Sequence, residues 1–300
     1  MSRTTAELGT RQQDLAATHR AQARRTWLIG RIALYTIVVL LGIMFALPFI
    51  WMISTSLKDD PQTFRVPPIW IPNPMRFANY PEALTQQPFG LYFINTLWYC
   101  IPSTIGAVFS AAVVAYGFSR IRWRGRNLIF FLCLTTIMIP FQVRMVPLYL
   151  IFKNLGWLNS YKPLIIPAFF GNPYFIFLLR QFFMSIPQEL SEAARIDGAN
   201  EWNILRTIIL PLSKPALAVV GLFQFMDAWN DYIGPLIFLN RTNLFPVSLG
   251  LATFNSAFAE SLKWPYLMAA STVVILPIIL LFFFAQRMFV EGVTVTGIKG

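Results

Sequence analysis

Residues 32–53, IALYTIVVLLGIMFALPFIWMI, carry no charged side chain. About 20 apolar residues in a helix cross the roughly 30 Å hydrocarbon layer of a bilayer. This stretch is therefore expected to span a membrane. It is too long for the apolar core of a signal peptide and lacks a small-residue cleavage site, so it is expected to remain as an anchor. Residues 91–118 and 265–286 are equally free of charge and predict two further spans.

Three other apolar stretches are less uniform. Residues 128–152 contain Pro140, Arg144 and Pro147. Residues 163–183 contain Pro167, Gly171, Pro173 and Arg180. Residues 215–239 contain Asp227 and Asp231. Each still predicts a span, because neighbouring helices can satisfy the carbonyls that a proline frees. Charged groups in such spans face a helix bundle or a pathway rather than lipid. The expected fold is an all-α integral membrane protein with six transmembrane helices. Composition agrees: 56% of residues are hydrophobic and 12% charged, against roughly 25% charged in soluble domains.

The formal net charge is +11. Lysine and arginine gather on the cytoplasmic side of membrane proteins. Sixteen of the 24 lie in the N-terminus, residues 119–126, the 184–215 loop with Arg180, and the C-terminal tail. Both termini and that loop are therefore expected in the cytoplasm. The same bias explains the charge without a nucleic-acid partner. Three regions follow: a cytoplasmic segment 1–30, a membrane domain 31–290, and a tail 291–300.

The loop between spans four and five, about 184–215, is long and polar. Its sequence from Ser185 reads SIPQELSEAARIDGANEWNILRTIILPLSKP. Ser185 with Gln188 fits a capping box, and Glu189 and Glu192 favour the positive end of a helix dipole. Gly198 can adopt positive φ and end that helix. A second helix is expected from about Glu201 to Leu210, stopping at Pro211. Ala193 and Ala194 give the first helix a small face that lets another surface approach closely. On these features alone the loop reads either as a docking element or as a plain connector.

Glu192-Ala193-Ala194, then Gly198, then Ile208 and Leu210-Pro211 match the EAA signature. The chain thereby resembles the permeases of binding-protein-dependent ABC importers. Ile186-Pro187, Arg195-Ile196-Asp197-Gly198-Ala199, Ser56-Leu57-Lys58, Trp229-Asn230-Asp231, 245–250 (FPVSLG) and 292–300 (GVTVTGIKG) are similar to the carbohydrate-uptake branch. Six spans resemble the smaller subunit of the maltose type. The resemblance implies a cytoplasmic-membrane protein with a second permease subunit, two ATPase subunits and an extracytoplasmic solute-binding protein as partners. The solute would be a sugar or a related polyol-like molecule. Glu192, Ala193, Ala194, Asp197 and Gly198 would form the ATPase-coupling surface, with Gly198 as its hinge. The tail, 295–300, would touch the ATPases too, and the long 54–90 loop would face the binding protein.

Asp227 and Asp231 lie one turn apart and share a helix face. With Trp229 and Asn230 they are candidates for the translocation path, where carboxylates and amides would meet sugar hydroxyls. The alternative is that Asp231 caps or pairs near the end of the span. Arg144 either marks a pathway or pairs with a carboxylate, or lies near the outer interface with its head group reaching toward water, and the second is the expectation.

No G-x-x-x-x-G-K-[ST] phosphate loop occurs, so ATP and Mg would be bound by a separate subunit and no cofactor by this chain. The lone histidine, His19, and two cysteines, Cys100 and Cys133, offer neither a catalytic triad nor a metal framework. An ion-coupled secondary transporter using Asp227, Asp231 or Arg144 is the competing reading. Such proteins usually carry internal repeats and more spans.

Overall fold

The computed structural model describes the backbone of residues 2–257 and 263–294, and the side chains of 26–254 and 263–286. Among the described residues every regular element is helical. Four helices are long and apolar enough to cross a membrane: Thr26–Ser56, Phe89–Ser119, Lys162–Ser185 and Trp264–Gln286. Two bent pairs, Arg126–Met138 with Phe141–Asn154 and Glu201–Leu212 with Lys214–Asn230, bring the number to six if each pair is one span.

Several boundaries differ from the sequence reading, each for a local reason. The 1–30 segment is continuous with span one, in a single helix Ser2–Ser56. The third span is broken. Ile139, extended at ψ 109°, and Pro140 at ψ 147° separate two helices that meet at 97°. Proline disfavours helical backbone in the residue before it, which places the break here. Pro147, by contrast, lies inside the second helix.

Span four changes form at Gly171, whose φ is +87°, and restarts at Pro173. Asn172 caps the restart by accepting the Tyr174 N–H at 2.9 Å. Span five stops at Asn230 rather than 239. Asp231 is extended, and a separate helix Ile233–Phe238 follows. The connection to the last span contains the helix Val247–Ala257.

Span two, Phe89–Ser119, is the hub. Ser103, Gly106, Ala107, Ser110, Ala111 and Ala115 are buried along its small-residue face. Small residues let helices in a membrane approach closely. A Cβ at Gly106 would lie 2.5 Å from the Phe169 ring. Around this helix sit two clusters. One, near the 184–215 loop, joins Ala111 and Ala115 to Leu179, Phe183, Ile204 and Ile209. The other joins Tyr92 and Tyr99 to Trp229, Phe254, Ala269 and Ala270. In contrast, the most apolar window of Thr26–Ser56 has no residue buried within the chain.

Candidate coupling loop and membrane cavity

The 184–215 loop begins where the helix Pro173–Ser185 ends. The expected capping box does not form. Ser185 still belongs to the preceding helix, and its hydroxyl donates to the Phe182 carbonyl at 2.7 Å. The next helix, Glu189–Ile196, starts after Gln188 with Glu189 and Glu192 in its first turn. It ends as the sequence predicts. Gly198 has φ +84°. The Ala199 N–H donates to the Ala194 carbonyl at 2.9 Å and the Gly198 N–H to that of Arg195 at 3.1 Å. This pair of bonds is a Schellman closure, which needs the left-handed residue that glycine supplies.

Asn200 caps the following helix by accepting the Asn203 N–H at 2.8 Å. That helix reaches Leu212 rather than stopping at Pro211. It passes through a π turn at Leu205–Ile209 just before the proline.

Glu192, Ala193, Asp197 and Gly198 are exposed together at this corner, with Ile196 86% exposed beside them. Ala194 differs: it is half-buried and packs, like Ala199, against the chain's own core. Ser191 is buried on the same inner side. Across the corner, Arg195 donates to Glu201 at 2.7 Å. That hydrogen bond holds the Glu201 carboxyl below the usual carboxylate range and raises Arg195 in turn.

Two residues that sequence reasoning did not single out tie the loop to span two. The Tyr116 hydroxyl donates to the second Glu201 oxygen at 2.5 Å. Arg120, only 8% exposed, donates to the carbonyls of Phe183, Ile186 (2.6 Å) and Pro187 (3.4 Å). No short-range pattern announces either contact, because the partners are 63 to 85 residues away.

The four candidate pathway residues separate. Asp227 and Asp231 line one cavity of about 800 Å³, together with Arg144, Asn172 and Gln224. Asp231 is also a cap: its carboxylate accepts the Gly234 N–H at 2.9 Å at the start of the short helix Ile233–Phe238. The Asp227 carboxylate forms no hydrogen bond among the described residues. Trp229 points elsewhere. It is 1% exposed and packs on Phe93 and Phe225 at ring separations of 5.5 and 5.6 Å. Asn230 donates to the Met226 carbonyl at 2.7 Å. Arg144 is exposed and lines this cavity, on the helix that follows the bend at Pro140.

At the far end of the bundle, the 54–90 loop is anchored by polar contacts. The Lys58 side chain is buried over the Trp51 ring, 3.6 Å from its centroid, and burial lowers its pKa. Arg76 pairs with Asp59 and Glu82, and Glu82 also accepts the Tyr266 hydroxyl. Val66 and Ile71 stay exposed on this loop.

Broken, apolar helices thus surround a largely apolar cavity that holds Asp227, Asp231 and Arg144, and a helical corner lies exposed at one end, the build of a membrane protein. The chain belongs to the family of binding-protein-dependent transport system inner membrane components, which matches residues 104–295. This membership makes it a permease subunit of a binding-protein-dependent importer. It is 34% identical over 282 residues to a probable ABC transporter permease, YurM, of Bacillus subtilis, covering 92% of this chain and 91% of that one. It is also 34% identical over 258 residues to the arabinooligosaccharide transport permease AraQ of Halalkalibacterium halodurans, covering 84% and 91%. In structure it resembles a chain of a bacterial ABC transporter involved in import of the acidic polysaccharide alginate. That match has a TM-score of 0.73 at 27% identity and covers 86% of this chain and 96% of the other.

Proposed function

We propose that this chain is one of two permease subunits in an ATP-driven importer of a sugar or polyol-like solute. The corner at Gly198 docks on an ATPase subunit, and ATP-driven closure of the ATPase pair moves the spans between inward- and outward-open forms. ATP and Mg belong to the ATPases. An extracytoplasmic binding protein delivers the solute to the side bearing the 54–90 loop, and both termini face the cytoplasm. The part of the tail expected to touch the ATPases, 295–300, lies outside the described residues.

The observation that carries this reading is the closed corner itself. Glu192, Ala193, Ile196, Asp197 and Gly198 form a compact exposed surface, on a helix whose opposite side is fixed to the chain's own core. Ile196, 86% exposed beside these small residues, is available to a partner surface. The sugar assignment rests on the named relatives. On the solute's route, Asp227 and Gln224 supply hydrogen-bonding groups to hydroxyls, while Asp231 serves first as a cap.

The test is uptake by vesicles holding the whole complex. ATP supplied at the ATPase side should drive accumulation when ion gradients are collapsed. Uptake that follows an imposed ion gradient and ignores ATP would overturn the proposal.

A further inference from the structure

We propose that Tyr116 and Arg120 are positioning residues that make span two and the coupling loop move as one body. The inference rests on the coupling reading above and assigns its transmission to two side chains. Tyr116 and Arg120 are four residues apart in the last turn of span two, so they lie on one face.

They hold the loop on both sides of the Gly198 corner. Arg120 grips its start through three carbonyls, those of Phe183, Ile186 and Pro187. These include carbonyls at the C-terminal end of the helix Pro173–Ser185, where the helix dipole favours a cation. Tyr116 grips its far side through Glu201 at 2.5 Å, and Glu201 is joined to Arg195 of the coupling helix at 2.7 Å.

One attachment would let the coupling helix pivot about a point. Two, on either side of the Gly198 corner, transmit rotation as well as translation. Arg120 is also a costly residue to bury. It is 8% exposed, it takes part in no ion pair among the described residues, and its Nε is unpartnered. A buried cation solvated only by carbonyls suits a fixed mechanical link, because breaking the link strands the charge. Span two in turn reaches the cavity through Tyr99, whose hydroxyl donates to the Ala228 carbonyl beside Asp227 at 2.5 Å. A push on the coupling helix thus has a continuous packed route to the solute path.

The test uses the full complex in proteoliposomes and reads solute transported per ATP hydrolysed. Tyr116→Phe removes one oxygen, and Arg120→Lys keeps the charge but not the fork. Both complexes should assemble and hydrolyse ATP within about twofold of the parent, while transport per ATP falls about threefold or more. A parallel Ala193→Cys variant, cross-linked to a cysteine on the ATPase surface, reports docking. Absence of that cross-link would sink the coupling reading and this inference with it. If the cross-link forms and Tyr116→Phe transports as much per ATP as the parent, the two-point attachment alone is wrong. Reduced assembly with an unchanged ratio in the surviving complex would likewise mean a merely structural role.

Discussion

Gly198 carries the corner of the loop at φ +84°, and a Cβ there would meet nothing within 4 Å. A substitution acts only through the backbone, which costs about 1–2 kcal/mol for an L-residue held in the left-handed region. Gly198→Val should therefore leave assembly intact while uncoupling ATP hydrolysis from uptake, and full uptake would show the corner is not a hinge. The glycine was legible because only a few residue types accept that backbone. Tyr116 and Arg120 were not, since their partners lie beyond any local pattern. The Glu201 carboxyl has a pH signature. Its folded pKa is depressed, chiefly by the Arg195 hydrogen bond and also by Tyr116. Its contribution is present above the ordinary value of about 4.3 and is lost as pH falls through the lower folded value. Melting curves of the parent and Glu201→Gln should differ by a constant amount at neutral pH and converge on strong acidification.

At the scale of elements, the prolines and aspartates decided where helices end, and their effects were only partly legible. An uninterrupted apolar run such as 32–53 can do little but cross. Pro140 and Pro147 look alike in sequence, yet one breaks the span and the other sits inside a helix. Both prolines are exposed within this chain, so its own core does not distinguish them. The two aspartates divide in the same way. Asp231 holds the Gly234 N–H, so Asp231→Ala should lower stability by about 1 kcal/mol, as loss of a cap does. Asp231→Asn keeps an acceptor and should restore most of it in the same thermal melts. Asp227 has no such bond, so Asp227→Asn should leave the melt unchanged. If it contacts solute, uptake should fall several-fold at low solute concentration, since a charged hydrogen bond contributes about 1.5–3 kcal/mol.

Across the whole molecule, the described chain buries one face of its second span and leaves the most apolar window of its first uncovered. The cavity near Asp227 is lined by residues from several of this chain's helices, among them Arg144, Asn172 and Gln224. The six apolar stretches, the charge asymmetry and the EAA spacing were all visible in sequence. The size of the bends, 97° and 81°, was not. The account's central claim is that the loop around Gly198 exists to engage a separate ATPase. The most direct measurement is to tag this chain, extract it gently from its native membrane, and identify its stoichiometric partners by mass spectrometry. The expected result is a P-loop ATPase and a second permease, with the ATPase lost when Ala193 is replaced by a bulky residue. A chain that arrives alone, under conditions that preserve known importers, would contradict it.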